Sequence, residues 1–281
     1  QIGHARFVPT QPKVIALVAT RRRSDLLARL LDSLNRQTLR PFAAVVCNND
    51  PDPATAKTAT QSPLPCELVS PGKNLGFGGG LAAAAHRAFE RFSDLTHLLV
   101  VDDDAILSPN DLESLLVSAT KHSAGSVAPF LVDASGKLQE VPEPVSWPLA
   151  RAFRAVGQQL DEARALAPAG YPMAWCIGPC LLIDRPTWLR AGPPRTDMLA
   201  YGDDVEFSLR LSVASPAWAE PSVAVIHAPP SLADLDLHLH PKRDDAAHYR
   251  KFGILLQNLA FTCVTSDRKS TRLNSSHANI S

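Results

Sequence analysis

The apolar positions of the chain switch repeatedly between two periods. "KVIALVAT" (13–20) holds an unbroken apolar run with β-branched residues, the pattern of a strand buried on both faces. Directly after it, Leu26, Leu27, Leu30, Leu31 and Leu34 recur at helical spacing, with Ser24 as the expected N-cap. "FAAVVCNND" (42–50) predicts a second strand ending in polar residues, and "CELVS" (66–70) predicts a third. "LAAAAHRAFERF" (81–92) reads as a helix launched from the glycines of "NLGFGGG". "THLLVVDDD" (96–104) supplies a fourth strand, and "SPNDLESLLVSAT" (108–120) the next helix, with Ser108 as cap and Pro109 at its first position. Alternating strands and helices predict an α/β fold, a mostly parallel sheet covered by helices on both faces.

Beyond about residue 133 the pattern loosens. "VPEPVSWPLARAF" (141–153) and "LAPAGYPMAWCIGP" (166–179) are rich in Pro, Trp and Gly and predict an irregular region with one helix between them. "CLLIDRPTWLRAG" (180–192) returns to a strand and a short helix. "YGDDVEFSLRLSVA" (201–214) predicts a helix from near Asp204, with Val205 and Leu209 on one face and a Glu206/Arg210 pair four apart. "SVAVIHAP" (222–229) is a strand ending in a histidine, and "DDAAHYRKFGILLQNLAFTCV" (244–264) a final amphipathic helix. The expected organisation is an extension over 1–12, one domain over 13–265 divided into halves 13–133 and 134–265, and a tail over 266–281. Polar and aperiodic, "DRKSTRLNSSHANIS" (267–281) reads as a non-native tail, and the absent initiator Met suggests a trimmed N-terminus.

Composition narrows the choice of partner. Lys+Arg and Asp+Glu both total 28 in 281 residues, so no overall field favours nucleic acid, and none is expected as a partner. No apolar run approaches the roughly 18–20 residues that span a bilayer, which makes a cytoplasmic protein the expectation. The five cysteines are scattered without a Cys-x-x-Cys, favouring reduced thiols, with Cys176 and Cys180 lining a core or pocket.

The candidate chemistry lies at strand ends. If strand geometry continues past Val101, Asp102 and Asp104 project to one side and Asp103 to the other. Two carboxylates so placed repel unless a cation joins them, and oxygen ligands suit Mg²⁺ or Mn²⁺; the competing reading is a solvated acidic turn. "NLGFGGG", with Asn74 and Gly76, reads either as a phosphate cradle at a helix N-terminus or as a tight turn. It is neither a P-loop nor a dinucleotide fingerprint. Asp203 and Asp204 are either helix caps or include a general base, and His227 is either structural or a metal ligand.

The order of these features resembles the family 2 glycosyltransferases of the GT-A fold over roughly residues 13 to 262. The resemblance implies nucleotide contacts at Thr20, Arg23, Asn48, Asn49 and Asp50, with Asn48-Asn49 standing where the family carries Asp-Asn. It implies Mn²⁺ or Mg²⁺ on Asp102 and Asp104, with Asp103 toward the donor sugar or ribose. The base maps onto Asp204, with Asp203 beside it. "DDDA" and "DDVEFSLR…H" resemble galactofuranosyltransferase members, in which a later histidine completes the metal site; His227 stands 23 residues after Asp204. "NLGFGGG" fits a rhamnosyltransferase equally well. Trp175 is the one aromatic of "MAWCIGP", and Tyr249, Arg250 and Asn258 partly match a terminal family pattern for acceptor or diphosphate contacts. The implied reaction is inverting transfer of a sugar from a UDP- or dTDP-linked donor to a hydroxyl of a glycan or lipid-linked acceptor. A lipid-linked acceptor implies peripheral membrane contact, through "HPKRDD" and "HYRKF". A nucleotidyltransferase or phosphohydrolase, or a catalytically silent nucleotide-sugar-binding scaffold, are the other classes the residues allow.

Overall fold

A computed structural model describes residues 12–198 and 202–227. The apolar run predicted first is β1 (Val14–Thr20), followed by α1 (Ser24–Asn35), β2 (Ala43–Asn48), α2 (Pro53–Gln61), β3 (Cys66–Val69), α3 (Gly76–Arg91) and β4 (His97–Val101). The chain continues through β5 (Ala105–Ile106), α4 (Asp111–His122), β6 (Ser126–Val132), β7 (Leu138–Glu140) and β8 (Glu143–Pro144). Then come α5 (Trp147–Val156), α6 (Leu160–Leu166), β9 (Tyr171–Trp175), β10 (Cys180–Asp184), α7 (Arg185–Ala191), α8 (Asp203–Ala214) and β11 (Ala217–His227).

The strands order as β3-β2-β1-β4-β10-β6-β11-β9-β8, with β5 beside β11 and β7 beside β6. β3, β2, β1 and β4 run parallel. β10 enters antiparallel between β4 and β6, so β6 and its parallel partner β11 point the same way as the first four strands. The sheet is therefore mixed but mostly parallel in strand direction. Its crevice lies beyond the carboxyl ends of β1, β2, β4, β6 and β11, where open α/β sheets bind ligands.

Alternation along β1 builds two cores at once. Ile15 and Leu17 face a layer containing Leu81, Ala84 and Ala88 of α3 together with Phe130, Trp188 and Phe207. Val14, Ala16 and Val18 face Leu27, Leu30, Leu31 and Leu34 of α1 and Leu112 and Leu115 of α4. Burying each of those leucines contributes roughly 1.5–3 kcal/mol.

Several local expectations shift. Ser24 is the first helical residue of α1, and Arg23 takes the N-cap position without a side-chain cap bond. α4 starts at Asp111 with Asn110 as N-cap, because the Asp111 carboxylate accepts from Ser108 N at 2.7 Å and closes a turn ahead of the helix. Gln37 pins that turn: its Nε2 donates to Ser108 O at 2.8 Å and its Oε1 accepts from Leu112 N at 3.0 Å. On α8 the buried positions are Asp203, Glu206, Phe207, Ser208 and Leu211, not the face of Val205 and Leu209. The predicted Glu206–Arg210 pair forms bidentately at 2.8 and 2.9 Å. The region after residue 133 is more regular than its Pro and Gly content suggests, since β8 and β9 are short strands at the sheet's far edge and β7 is a short strand beside β6. Among the described residues Cys47, Cys66, Cys176 and Cys180 are free thiols. The final helix, with Tyr249, Arg250 and Asn258, both basic stretches and the 266–281 tail, lies outside the described residues.

Candidate active site

β4 stops at Val101, and the chain turns rather than continuing extended. Asp102 N donates to Pro179 O, and Ala105 N donates back to Asp102 O, each at 3.1 Å. The turn delivers Ala105 and Ile106 to β11, in register with His227 and Ile226. This two-residue pairing seats His227 beside Asp104, with Nε2 at 3.5 Å from Oδ1. One ligand atom from each of Asp102, Asp104 and His227 falls within 4.8 Å of the others. Asp102 and Asp104 converge as expected, although through a turn instead of strand alternation.

The donor set fits a divalent cation. Asp102 Oδ1 is buried without a hydrogen-bond donor, and Asp104 Oδ1, likewise without one, meets only His227 Nε2 at 3.5 Å, a costly arrangement for two carboxylates unless a cation stands between them. Burial, then Asp104, Asp103, Asp204 and Asp203, push the Asp102 carboxyl well above the usual range. A bound Mn²⁺ or Mg²⁺ would reverse that preference toward the ionised form.

Asp103 is not part of this group and has donors of its own. It accepts from Thr20 Oγ1 at 2.6 Å and from Arg23 Nη1 at 3.1 Å, and Arg23 also lies 3.5 Å from Asp104 Oδ2. Burial raises Asp103, while Thr20 and Arg23 hold it down. Arg23 reaches this position because Arg22, at φ 54°, turns the chain sharply after β1.

The other positions implicated in nucleotide contacts form a scaffold around the end of β2. Asn49 Nδ2 donates to Gly76 O at 2.7 Å and its Oδ1 accepts from Leu75 N at 3.2 Å. Asn74 Oδ1 accepts from Gly76 N at 3.0 Å. Asn48 Nδ2 donates to Asp52 O at 3.0 Å, while its buried Oδ1 takes no hydrogen bond. Asp50 lies 3.4 Å from Arg21 and 3.0 Å from Arg22. The glycine stretch belongs to the first turns of α3, which begins at Gly76 rather than at Leu81. A Cβ on Gly80 would stand 2.7 Å from Asn49 Nδ2 and 2.9 Å from Ala19 Cβ, so close packing explains that glycine.

The anion at the N-terminus of α3 is internal: Gly78 N donates to Asp203 Oδ2 at 3.1 Å. Gly202, at φ 87°, supplies the left-handed residue that starts α8 there. Asp203 is pushed up to about 6 by burial and then by Asp204. Asp204 Oδ2 accepts from Gly178 N at 3.0 Å and Oδ1 from Val205 N at 2.8 Å, and burial raises it against those bonds. Trp175 closes β9 three residues before Gly178 and is half-buried. Ser208, which exchanges hydrogen bonds with the Cys176 backbone, fixes this segment on α8. Gly178 and Ser208 are positioning groups the sequence reading missed, although Gly178, between Ile177 and Pro179, carried a turn signal; Gly78 of the glycine stretch holds Asp203.

Residues 15–170 match the pattern described as glycosyl transferase family 2. Galactofuranosyltransferase GlfT1 of Mycolicibacterium smegmatis is 29% identical over 204 residues, covering 70% of this chain and 65% of the relative's own length. An N-acetylglucosaminyl-diphospho-decaprenol L-rhamnosyltransferase of Mycobacterium tuberculosis is 25% identical over 254 residues, 82% of this chain and 79% of the relative. Among solved structures, S. aureus TarS in complex with UDP superposes with a TM-score of 0.57 at 14% identity, over 88% of this chain and 70% of that one. Mannosyltransferase PcManGT from Pyrobaculum calidifontis, in complex with GDP-Man and Mn²⁺, gives 0.54 at 20% identity, over 79% and 59%. The mixed sheet is the GT-A arrangement, and the chain belongs to glycosyl transferase family 2.

Proposed function

We propose that this chain is an inverting, metal-dependent glycosyltransferase that moves galactofuranose from a UDP-linked donor to a hydroxyl of a glycan or lipid-linked acceptor. The carrying observation is the convergence of Asp102, Asp104 and His227, with two orphaned carboxylate oxygens, at the carboxyl end of the sheet. Those three side chains would hold Mn²⁺ or Mg²⁺, which offsets charge on the departing nucleoside diphosphate. Thr20, Arg23 and Asp103 form the wall beside it on the donor side. Asn48, whose buried Oδ1 takes no hydrogen bond, would offer an acceptor to the donor's nucleobase.

Asp204 receives the proton of the acceptor hydroxyl. The oxygen's electron pair forms the new bond to the anomeric carbon, while the bond to the diphosphate oxygen breaks and its pair leaves with the nucleotide. Backbone donors from Gly178 and Val205 hold the carboxylate in place, and burial makes it a stronger base than an exposed aspartate. One displacement inverts configuration and requires no enzyme nucleophile. His227 beside the acidic cluster and the galactofuranosyltransferase relative support the choice of sugar. The rhamnosyltransferase relative, which aligns over more of the chain, supports a second reading with a dTDP-linked donor.

Asp204→Asn tests the base. Transfer is expected to fall by roughly 10²–10⁴-fold, the range attributed to general-base catalysis, while Mn²⁺-dependent UDP binding by calorimetry stays near wild type. Near-normal transfer removes Asp204 from the role. Saturable donor binding without turnover in the wild type, over a broad acceptor panel, would instead indicate a scaffold.

A further inference from the structure

Residues 176–179 join β9 to β10 and tie both to the candidate site. Ser208 Oγ accepts from Cys176 N at 3.0 Å and donates to Cys176 O at 2.9 Å. Gly178 N donates to Asp204 Oδ2 at 3.0 Å, and Pro179 O accepts from Asp102 N at 3.1 Å. A single strap of backbone therefore touches both the candidate base and the turn that carries the cation ligands.

The register of the strap follows from α8. Asp204 and Ser208 stand four residues apart on one helix face, about 6 Å along the axis. Cys176 and Gly178 are two residues apart, and extended backbone covers about 6.6–7 Å in two steps. The strap thus runs antiparallel to the helix and meets both side chains in one register. Sliding it by one residue would exchange the faces of Cys176 and Ile177, which pack against different cores. A Cβ on Gly178 would stand 3.2 Å from Asp204 Cβ and 3.3 Å from Phe77 Cζ, so glycine is what lets this amide approach the carboxylate.

The two ends are anchored unequally. Directly after Pro179 the β4–β10 ladder begins, with Cys180 opposite Val101, and it holds the Asp102 turn independently of α8. Before Cys176, β9 is in register with β11 at Tyr171 and Pro172 and, nearer its end, with the two-residue strand β8. At this weaker end Ser208, 1% exposed, supplies both a donor and an acceptor to the Cys176 backbone.

We propose that Ser208 is a positioning residue for transfer: by clamping Cys176 it sets the register in which Gly178 N orients the Asp204 carboxylate. This role rests on the reading of Asp204 as the base. Without the hydroxyl, two buried backbone groups of Cys176 lose their partner, and the strap relieves that by moving off α8 toward other partners. Asp204 then loses one of the backbone donors that aim it, and a displacement of about 1 Å is enough to cost about 10²-fold in rate. The cation ligands, held through β10, keep their places.

Ser208→Ala is therefore expected to lower kcat roughly 10–10²-fold, while KM for the donor and Mn²⁺-dependent UDP affinity by calorimetry stay near wild type. Ser208→Cys fills the same space with a weaker donor and acceptor and should give an intermediate kcat; it carries the test if the alanine variant fails to fold. Circular dichroism at the assay temperature shows which variants are folded. In a double-mutant cycle, Ser208→Ala should change the residual transfer of Asp204→Asn by less than about twofold, because a side chain that is no longer a base gains nothing from being aimed. A kcat near wild type in both Ser208 variants, a matching loss of UDP affinity, or an equal fold-loss with and without Asp204→Asn overturns the role of Ser208. Near-normal transfer by Asp204→Asn alone removes the base assignment itself, on a variant in which Ser208 is intact.

Discussion

Asp102, Asp103 and Asp104 share one backbone turn but three different surroundings. Asp103 has two donors, Thr20 and Arg23, whereas Asp102 and Asp104 each keep a buried oxygen without any. A carboxylate satisfied by protein donors gains little from a cation; one left with an orphan oxygen gains much. Asp104→Ala should therefore weaken Mn²⁺-dependent UDP binding by tenfold or more, about 1.4 kcal/mol. Isothermal titration with and without Mn²⁺ measures this, and the metal-independent part of UDP binding should change little. Equal affinity in wild type and variant, with Mn²⁺ present, would remove Asp104 from the ligand set. The sequence showed three adjacent aspartates and a distant histidine. It did not show that Asp103 is the one already paired, because Arg23 meets it only through the left-handed turn at Arg22.

The start of α3 sets helix propensity against packing. In an isolated helix Ala is better than Gly by about 1 kcal/mol, so Gly80→Ala ought to stabilise α3. Yet the added methyl would meet Asn49 Nδ2 at 2.7 Å and Ala19 Cβ at 2.9 Å, both parts of a tightly packed layer. Overpacking typically costs about 1–3 kcal/mol, and displacing Asn49 also disturbs its bonds to Leu75 and Gly76. The expected net result is a lower urea midpoint with an unchanged m-value. A midpoint raised by the full propensity difference would refute the packing account. The same element marks the limit of sequence reading. Long runs such as "KVIALVAT" and the leucines of α1 were legible because every residue repeats one signal. The first turn of α3 was not, because its glycines answer to Asn49, Ala19 and Asp203, which are remote in sequence. β5 carries too few residues for any period, although it places His227. The antiparallel entry of β10 between β4 and β6 likewise depends on pairing that no local pattern encodes.

Across the whole molecule, the site concentrates buried carboxylates that cost stability when ionised. Asp203 and Asp111 are pushed up to about 6 by burial, and Asp102 is raised further by burial and its carboxylate neighbours. An unfolded aspartate titrates near 3.9, so between about pH 4 and 6 the metal-free native state binds more protons than the unfolded chain. Stability therefore falls as pH rises through that window. Buried His97 opposes the trend, because its lowered value lets the unfolded chain take up a proton first. Asp52, Asp94, Asp133 and Asp197, lowered by their side-chain hydrogen bonds, oppose it too near pH 4 but are ionised in both states above about pH 5, where His97 stands against several raised carboxylates and the net slope stays negative. Mn²⁺ acts in the other direction: it binds the ionised cluster in the folded state alone, and it competes with protons for Asp102. Thermal melts in chelator should give a higher Tm at pH 5 than at pH 6.5, while the Tm increase produced by Mn²⁺ should be larger at pH 7.5 than at pH 5.5. Asp102→Asn should flatten both trends, since the amide does not titrate. A Mn²⁺ increment independent of pH, or one that survives unchanged in Asp102→Asn, would mean that the cation binds elsewhere and that the orphan oxygens of the cluster have another explanation.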